Sequence, residues 1–264
     1  MSYPSSAELA AAGLEISVDG PALTVTLNRP DVRNAQTPSM WRALAAIGAA
    51  VEPDVRVVVV RGAGASFSAG LDRSMLSPEG VEGEASFPQL AAAPATEFDA
   101  TVASYQEGFT WLRNPQFVSV AAVQGHAVGA GFQLALACDL RVLADDAQLC
   151  MKEPALGLVP DLTGTKPLVE AVGYARALEI CATARWVPAQ EAYALGLGQE
   201  LVAKETLDGR VAELVAALTA APHAAVSATK ALLQTASRLD LADQSAAERR
   251  AQRGRFVDLL AASR

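Results

Sequence analysis

Histidine and cysteine are both scarce in this chain: two His and three Cys among 264 residues. His126 and His223 alone are too few for a histidine-built metal centre, and they leave a Ser-His-Asp triad little to work with. Cys138, Cys150 and Cys181 lack metal-type spacing and sit in apolar surroundings, so they are expected to be buried free thiols in a reducing, cytoplasmic setting. Positive charge is short as well. Lys and Arg number 21 against 29 Asp and Glu, for a net charge of −8. An acidic surface argues against nucleic acid or an anionic membrane as the main partner. It leaves room for an anionic small ligand, which local arginines and helix N-termini can hold. No run of about 18 apolar residues is free of charge and proline, so no membrane span is expected. The N-terminus has no basic segment followed by an apolar run, so no signal peptide is expected either.

What is present is a globular composition, 51% hydrophobic and 19% charged, with length enough for a full core. Leu14–Val18 and Leu23–Leu27 alternate apolar and polar residues around Asp19-Gly20-Pro21, the pattern of a β-hairpin. Thr37-Pro38 starts a helix to about Val51, with Thr as cap and Pro in the first turn. The runs Val55–Val60 and Val118–Val123 read as buried strands, and Asp139–Ala144 and Ala147–Met151 as two more. Helices are expected at 96–113 and 130–138. Alternating strands and helices imply a mostly parallel sheet covered by helices. From Thr163 onward the chain reads as nearly all helix, in pieces near 166–172, 175–183, 189–195, 207–221 and 224–237, with short extended links at 185–187 and 200–202. The Gly/Pro-punctuated stretch 73–95 reads as mostly loop, and a loop of that length is usually functional or mobile.

Two small-residue loops follow buried strands: Ser66-Phe67-Ser68-Ala69-Gly70-Leu71-Asp72 and Gly125-His126-Ala127-Val128-Gly129-Ala130-Gly131. Such loops let a ligand approach the backbone, and two of them can aim one N–H each at a single oxygen, an oxyanion hole. They can equally be two tight strand-to-helix turns. Glu153 and Asp161 lie in apolar, Gly/Pro-rich segments, where a carboxylate has its pKa raised and can exchange protons. Alternatively, Glu153 caps a turn and Asp161 caps the following helix. His126 reads as a satisfied structural residue and His223 as a surface one. Arg29 and Arg33 could hold a phosphate.

Taken in order, Asn28-Arg29-Pro30 with Asn34-Ala35, Phe67-Ser68-Ala69-Gly70-Leu71-Asp72, the loop 125–131, Cys138-Asp139-Leu140-Arg141, and Glu153 with Leu156-Gly157-Leu158-Val159-Pro160-Asp161 resemble the crotonase superfamily, the enoyl-CoA hydratase/isomerase family. Each motif alone is weak; five at family spacing between about Leu14 and Ser237 are specific. The resemblance implies an α/β fold, a spiral of ββα units with two roughly perpendicular sheets and a helical C-terminal region. It implies one domain over 1–264, with a core at about 14–200 and a trimerisation region at about 205–264, giving a homotrimer or a hexamer of paired trimers. The implied substrate is an acyl-CoA thioester, with no cofactor beyond the CoA it carries. The positions matching the two oxyanion donors are Leu71 and Ala130. The backbone around Ala35, Ser68, Ala69 and Leu71 matches the part that holds CoA, and Arg33 could meet its phosphates.

Hydratases of the family use two glutamates. Glu153 matches the second, and the first falls at Gln133. An amide cannot take a proton from water, so the resemblance points to a double-bond isomerase, Δ3 to Δ2, with Glu153 as the one acid/base. Asp161 matches an acid of dienoyl-CoA isomerases, whose third acid would again fall at Gln133. The alternatives are a hydratase of low activity with Gln133 positioning water, another crotonase chemistry such as thioester hydrolysis or decarboxylation, and a non-catalytic acyl-CoA binder. Met75, Leu76, Phe87, Trp111 and Phe132 are expected to line the acyl pocket. A final helix that would cover a neighbour's CoA site has no clear copy after Glu248; either the chain is short there or Arg253–Phe256 does a similar job differently.

Overall fold

A computed structural model describes residues 2–78, 80–81 and 83–262. After α1 (Ser6–Ala11), the strands β1 (Leu14–Asp19) and β2 (Ala22–Leu27) form the expected hairpin, with Leu14 opposite Leu27. Then come α2 (Pro38–Ala50), β3 (Val57–Gly62), α3 (Phe87–Ala92), α4 (Ala95–Thr110), β4 (Val118–Val123), β5 (His126–Val128), α5 (Ala130–Ala137), β6 (Leu140–Ala144) and β7 (Gln148–Cys150). The remainder is α6 (Thr165–Thr183), β8 (Val187–Pro188), α7 (Ala189–Ala194), β9 (Glu200–Val202), α8 (Leu207–Ala220), α9 (His223–Ala236) and α10 (Leu241–Ala262).

Two sheets result. One has six strands in the order β1-β2-β3-β4-β6-β9, parallel after the first pair; the other has three, β5-β7-β8. The chain winds as a spiral because each turn repeats one pattern: a strand in the large sheet, a short extended piece in the second layer, then a helix. In two turns the extended piece is a true strand, β5 or β7. In the earlier two it shrinks to single bridges, Gln36 to Leu71 and Ser68 to Ala127. The second small-residue segment, expected to be a loop throughout, therefore contains a strand of three residues.

Both faces of the large sheet are covered, which explains why its strands read as continuous apolar runs. Val58 and Val60 of β3 join the main core with Leu44, Ile47, Phe109 and Leu136, whereas Val57 and Val59 point the other way onto Leu207 and Val211 of α8. The stretch 73–95 is more ordered than a loop: residues 73–76 make a 3-10 turn capped by Asp72, and α3 opens with a capping box of Ser86 and Gln89. Residues 79 and 82 of that stretch lie outside the described residues. In α6, Gly173 (φ 75°) breaks the helix where two pieces were expected.

The docking of α9 is polar. His223 hydrogen-bonds through Nε2 with the carbonyl of Gln116, Lys230 donates to those of Asn114 and Phe117 and to Asp139, and Gln234 donates to that of Arg113. The carbonyls at a helix C-terminus lack intrahelical partners, and these three side chains satisfy the segment that follows α4. His223, expected on the surface, is thus part of a joint. Of the cysteines, Cys138 and Cys150 are buried, but Cys181 is partly exposed.

Candidate active site

The first site segment leaves β3 and passes through Ser66–Asp72. Its shape is held by side chains from the stretch before α2. Asn34 Nδ2 donates to the carbonyls of Ala63 (2.9 Å), Ser66 (2.8 Å) and Phe67 (3.2 Å), while its Oδ1 accepts from the Arg29 N–H (2.9 Å). Gln36 accepts from Trp41 Nε1 (2.8 Å) and donates to Ser68 Oγ (3.0 Å). Ser68 Oγ in turn donates to the Asn34 carbonyl (2.8 Å) and accepts from the Gly70 N–H (3.1 Å). Burial makes such a network stabilising only when every member is paired, and these are.

Gly70 has φ +84°, and a methyl group there would lie 2.3 Å from the Val128 carbonyl oxygen and 3.5 Å from the Ala130 nitrogen. The glycine therefore brings the backbone entering Leu71 beside the first amide of α5. First-turn helix amides have no intrahelical acceptor. Among the described residues neither the Leu71 nor the Ala130 N–H donates a hydrogen bond. Two free donors on adjacent backbones can receive one developing oxyanion.

The carboxylate reaches the same helix end from the other side. Glu153 follows β7 and opens a 3-10 turn. A methyl group on Gly129 (φ +50°) would lie 2.9 Å from Glu153 Oε1, so the acid packs directly against the residue preceding Ala130. Gln133, one turn into α5 and 1% exposed, donates from Nε2 to Glu153 Oε1 (2.7 Å). Its own oxygen accepts from the backbone N–H groups of Leu162 (2.9 Å) and Gly164 (3.2 Å). Glu153 Oε2 is buried without a partner among the described residues. Burial raises the Glu153 pKa above the ordinary carboxyl value; the hydrogen bond from Gln133 opposes that rise, and the charge of Asp161 adds to it. Asp161 stands at the rim, largely exposed, yet the protein crowding it raises its pKa too. It caps no helix: Gly164 precedes α6, with no side-chain cap. Gln106 of α4 holds the Asp161 carbonyl (2.7 Å).

Several expected residues are placed differently. Ser68 is fully buried, its N–H bonded to His126 and its carbonyl to Val128, so it offers a ligand no free group and is scaffold. The Ala69 N–H is used by the Arg33 carbonyl and the Ala35 carbonyl by Arg29, leaving the Ala69 carbonyl open among the described residues. Arg29 is neutralised by Asp72 (3.0 Å) and is no phosphate ligand; Arg33, exposed at φ 52° with no ion pair among the described residues, remains available. Trp111 packs over Gly48 and edge-on to Phe117 (5.8 Å). His126 sits between Ser66 Oγ (3.3 Å) and the Trp186 ring, a structural position. A cavity of about 1160 Å³ between α9 and the ends of α4, α5 and α6 meets the site only at Thr163. Gln36 was not singled out from the sequence; its signal was two amide residues, 34 and 36, just ahead of the Thr37 cap.

The profile of a family described as enoyl-CoA hydratase/isomerase matches residues 20–258. An enoyl-CoA-hydratase-like chain from Thermobifida fusca, solved with CoA, is 54% identical over 98% of both chains with a TM-score of 0.93; its complex with acetoacetyl-CoA covers 97% of this chain and 99% of that one, with a TM-score of 0.94. The peroxisomal Δ3,5-Δ2,4-dienoyl-CoA isomerase of Arabidopsis thaliana is 30% identical over 222 residues, 82% of this chain and 78% of the relative.

Proposed function

The chain belongs to the enoyl-CoA hydratase/isomerase family, and from that premise we propose that it shifts a double bond in an enoyl-CoA from Δ3 to Δ2 with Glu153 as the one acid/base. The thioester carbonyl enters between the Leu71 and Ala130 N–H groups. Glu153 Oε2 takes a proton from the α-carbon, and the electron pair spreads through the 3,4 double bond onto the thioester oxygen, where the two amides stabilise it. The same carboxyl returns the proton to C4. The balance closes without water. A raised carboxyl pKa suits this exchange, because the acid must both accept and release a proton near working pH. CoA binding is supported by the relative from Thermobifida fusca solved with CoA; Arg33 meets the CoA phosphates and the Ala69 carbonyl takes the adenine amino group, a reading supported by the exposure of Arg33 and the open Ala69 carbonyl among the described residues.

The observation that carries this reading is that the residue seated beside Glu153 is an amide. Gln133 accepts two N–H groups on its oxygen and gives one hydrogen of its nitrogen to Glu153. An amide does not take a proton from water, which disfavours hydration. One observation favours a second reading: Asp161 lies close enough to Glu153 to raise its pKa, and a carboxyl pair could move a proton along a longer dienoyl system, the kind of substrate in the name of the Arabidopsis relative. We also propose a trimer or paired trimers, supported by apolar side chains left exposed on α6 and α10, among them Tyr174, Leu178, Leu259 and Leu260.

The test is a parallel assay of crotonyl-CoA for water addition, trans-3-hexenoyl-CoA for isomerisation and a 3,5-dienoyl-CoA. Isomer formation from the 3-enoyl ester with little hydration is the expected result. Fast hydration would sink the one-acid reading, and turnover confined to the dienoyl ester would select the second.

A further inference from the structure

Thr163 is a β-branched residue at φ +68°. That backbone region is open to glycine and occasionally to Asn or Asp, and is disfavoured by a branched Cβ. Such a conformation persists only where its surroundings impose it. A glycine stands next door, but Gly164 has an ordinary φ of −72°, so it does not relieve the turn. It gives clearance instead: a methyl group on Gly164 would lie 2.5 Å from Gln133 Cγ and 3.0 Å from its Oε1. The left-handed kink at Thr163 turns the N–H groups on either side of it, those of Leu162 and Gly164, onto one point, and that point is Gln133 Oε1. Convergent N–H groups of this kind form a nest that favours an acceptor oxygen.

We infer that the nest centred on Thr163 is a positioning device for proton transfer: by seating Gln133 Oε1 it forces the amide nitrogen onto Glu153 Oε1 and leaves Oε2 as the one oxygen that can meet substrate. This rests on the assignment of Glu153 as the acid/base. A flipped amide would set its NH2 against two N–H donors and its oxygen against a carboxylate, turning three attractive contacts repulsive. The seat therefore fixes the orientation. Gln106 holds the same loop from α4 through the Asp161 carbonyl. Thr163 itself lines the cavity beside α9.

The groups facing Glu153 are Gln133 of α5, the carboxylate of Asp161, Lys152 and the thiols of Cys150 and Cys181, both of which feel its charge. The backbone N–H groups of Glu153 and Lys152 hold its pKa down, and Gln133 is the side-chain donor that does so, whose loss raises it. Thr163→Pro forbids a positive φ, since proline holds φ near about −65°, and Gly164→Ala pushes Gln133 from its seat by contact alone. The Glu153 carboxyl can be followed by ¹³C NMR in ligand-free protein, its signal identified by its absence in E153Q. In both variants the titration is expected to move up, and the acid limb of kcat with it. At pH below the wild-type titration the turnover number is expected to fall about tenfold for each pH unit of displacement, with KM within about twofold. Thr163→Gly keeps the kink and should leave both profiles in place. Gly164→Ala serves if the proline variant does not fold. An unmoved Glu153 titration in the folded nest-breaking variants would overturn the inference. Because the carboxyl titration needs no substrate, a wild-type protein silent on 3-enoyl esters would refute the proposed reaction without deciding the nest.

Discussion

The two halves of the site are built on opposite terms. On the oxyanion side, Asn34, Gln36 and Ser68 are buried with a hydrogen-bond partner for every polar side-chain atom, and the N–H groups aimed at ligand belong to the backbone. On the carboxylate side, one oxygen of Glu153 is buried with no partner, its pKa is raised, and Thr163 sits in a strained conformation nearby. The difference follows from the task. Donors that only receive charge can be fixed permanently by groups that never touch the reactant. A group that must gain and lose a proton has to stay under-satisfied, because every added donor would lock one protonation state.

The sharpest way to break this contrast is Glu153→Gln. Turnover should fall by about 10²–10⁴-fold, the usual contribution of a positioned acid/base, while CoA binding measured by calorimetry persists. The same variant should raise the thermal midpoint at neutral pH. A carboxyl with a raised folded pKa has its favourable contribution in full below the unfolded pKa and loses it as pH rises through the folded value. The stability gain of the variant should accordingly shrink as pH is lowered into the ordinary carboxyl range. A variant equally destabilised at every pH would show that Glu153 is structural.

Gly70→Ala attacks the other half. It sets a methyl group on the Val128 oxygen at a positive φ and should cost about 10²–10³-fold in kcat, the effect of losing an oxyanion donor. Undiminished turnover would remove Leu71 from the hole. Ser68→Ala should cost about 1–3 kcal/mol of stability by orphaning its buried partners, measured by urea unfolding, with kcat little changed. A large activity loss at full stability would mean that Ser68 touches ligand after all. The smallest effect is expected at Arg33→Ala: an exposed charge of this kind is worth about 0.2–1 kcal/mol, read as a modest rise in KM that disappears at high salt.

Much of this was legible in the sequence because it rests on periodicity and turn chemistry. The hairpin around Gly20, the Thr37 cap, the buried run in β3 and the break at Gly173 all announce themselves locally, and so does the pairing of two glycine loops. What was not legible depends on contacts far along the chain. The strand β5 is three residues inside a small-residue segment, and only Gln148–Cys150 beside it makes it a strand. Arg29 looked like a phosphate ligand until Asp72, 43 positions later, proved to hold it. Gln133 read as a missing base, whereas its partners Glu153, Leu162 and Gly164 give it a different task. Thr163 carries no signal at all, since threonine does not advertise a left-handed turn.

The polar joint of α9 has a consequence for how the molecule is made. The carbonyls of residues 113, 114, 116 and 117 are satisfied by His223, Lys230 and Gln234, more than a hundred positions downstream. During synthesis from the N-terminus, the sheet can assemble through β6 while the end of α4 still faces water. That joint closes only when α9 emerges. A nascent chain that has emerged as far as about residue 220 would therefore carry a nearly complete core with an open seam.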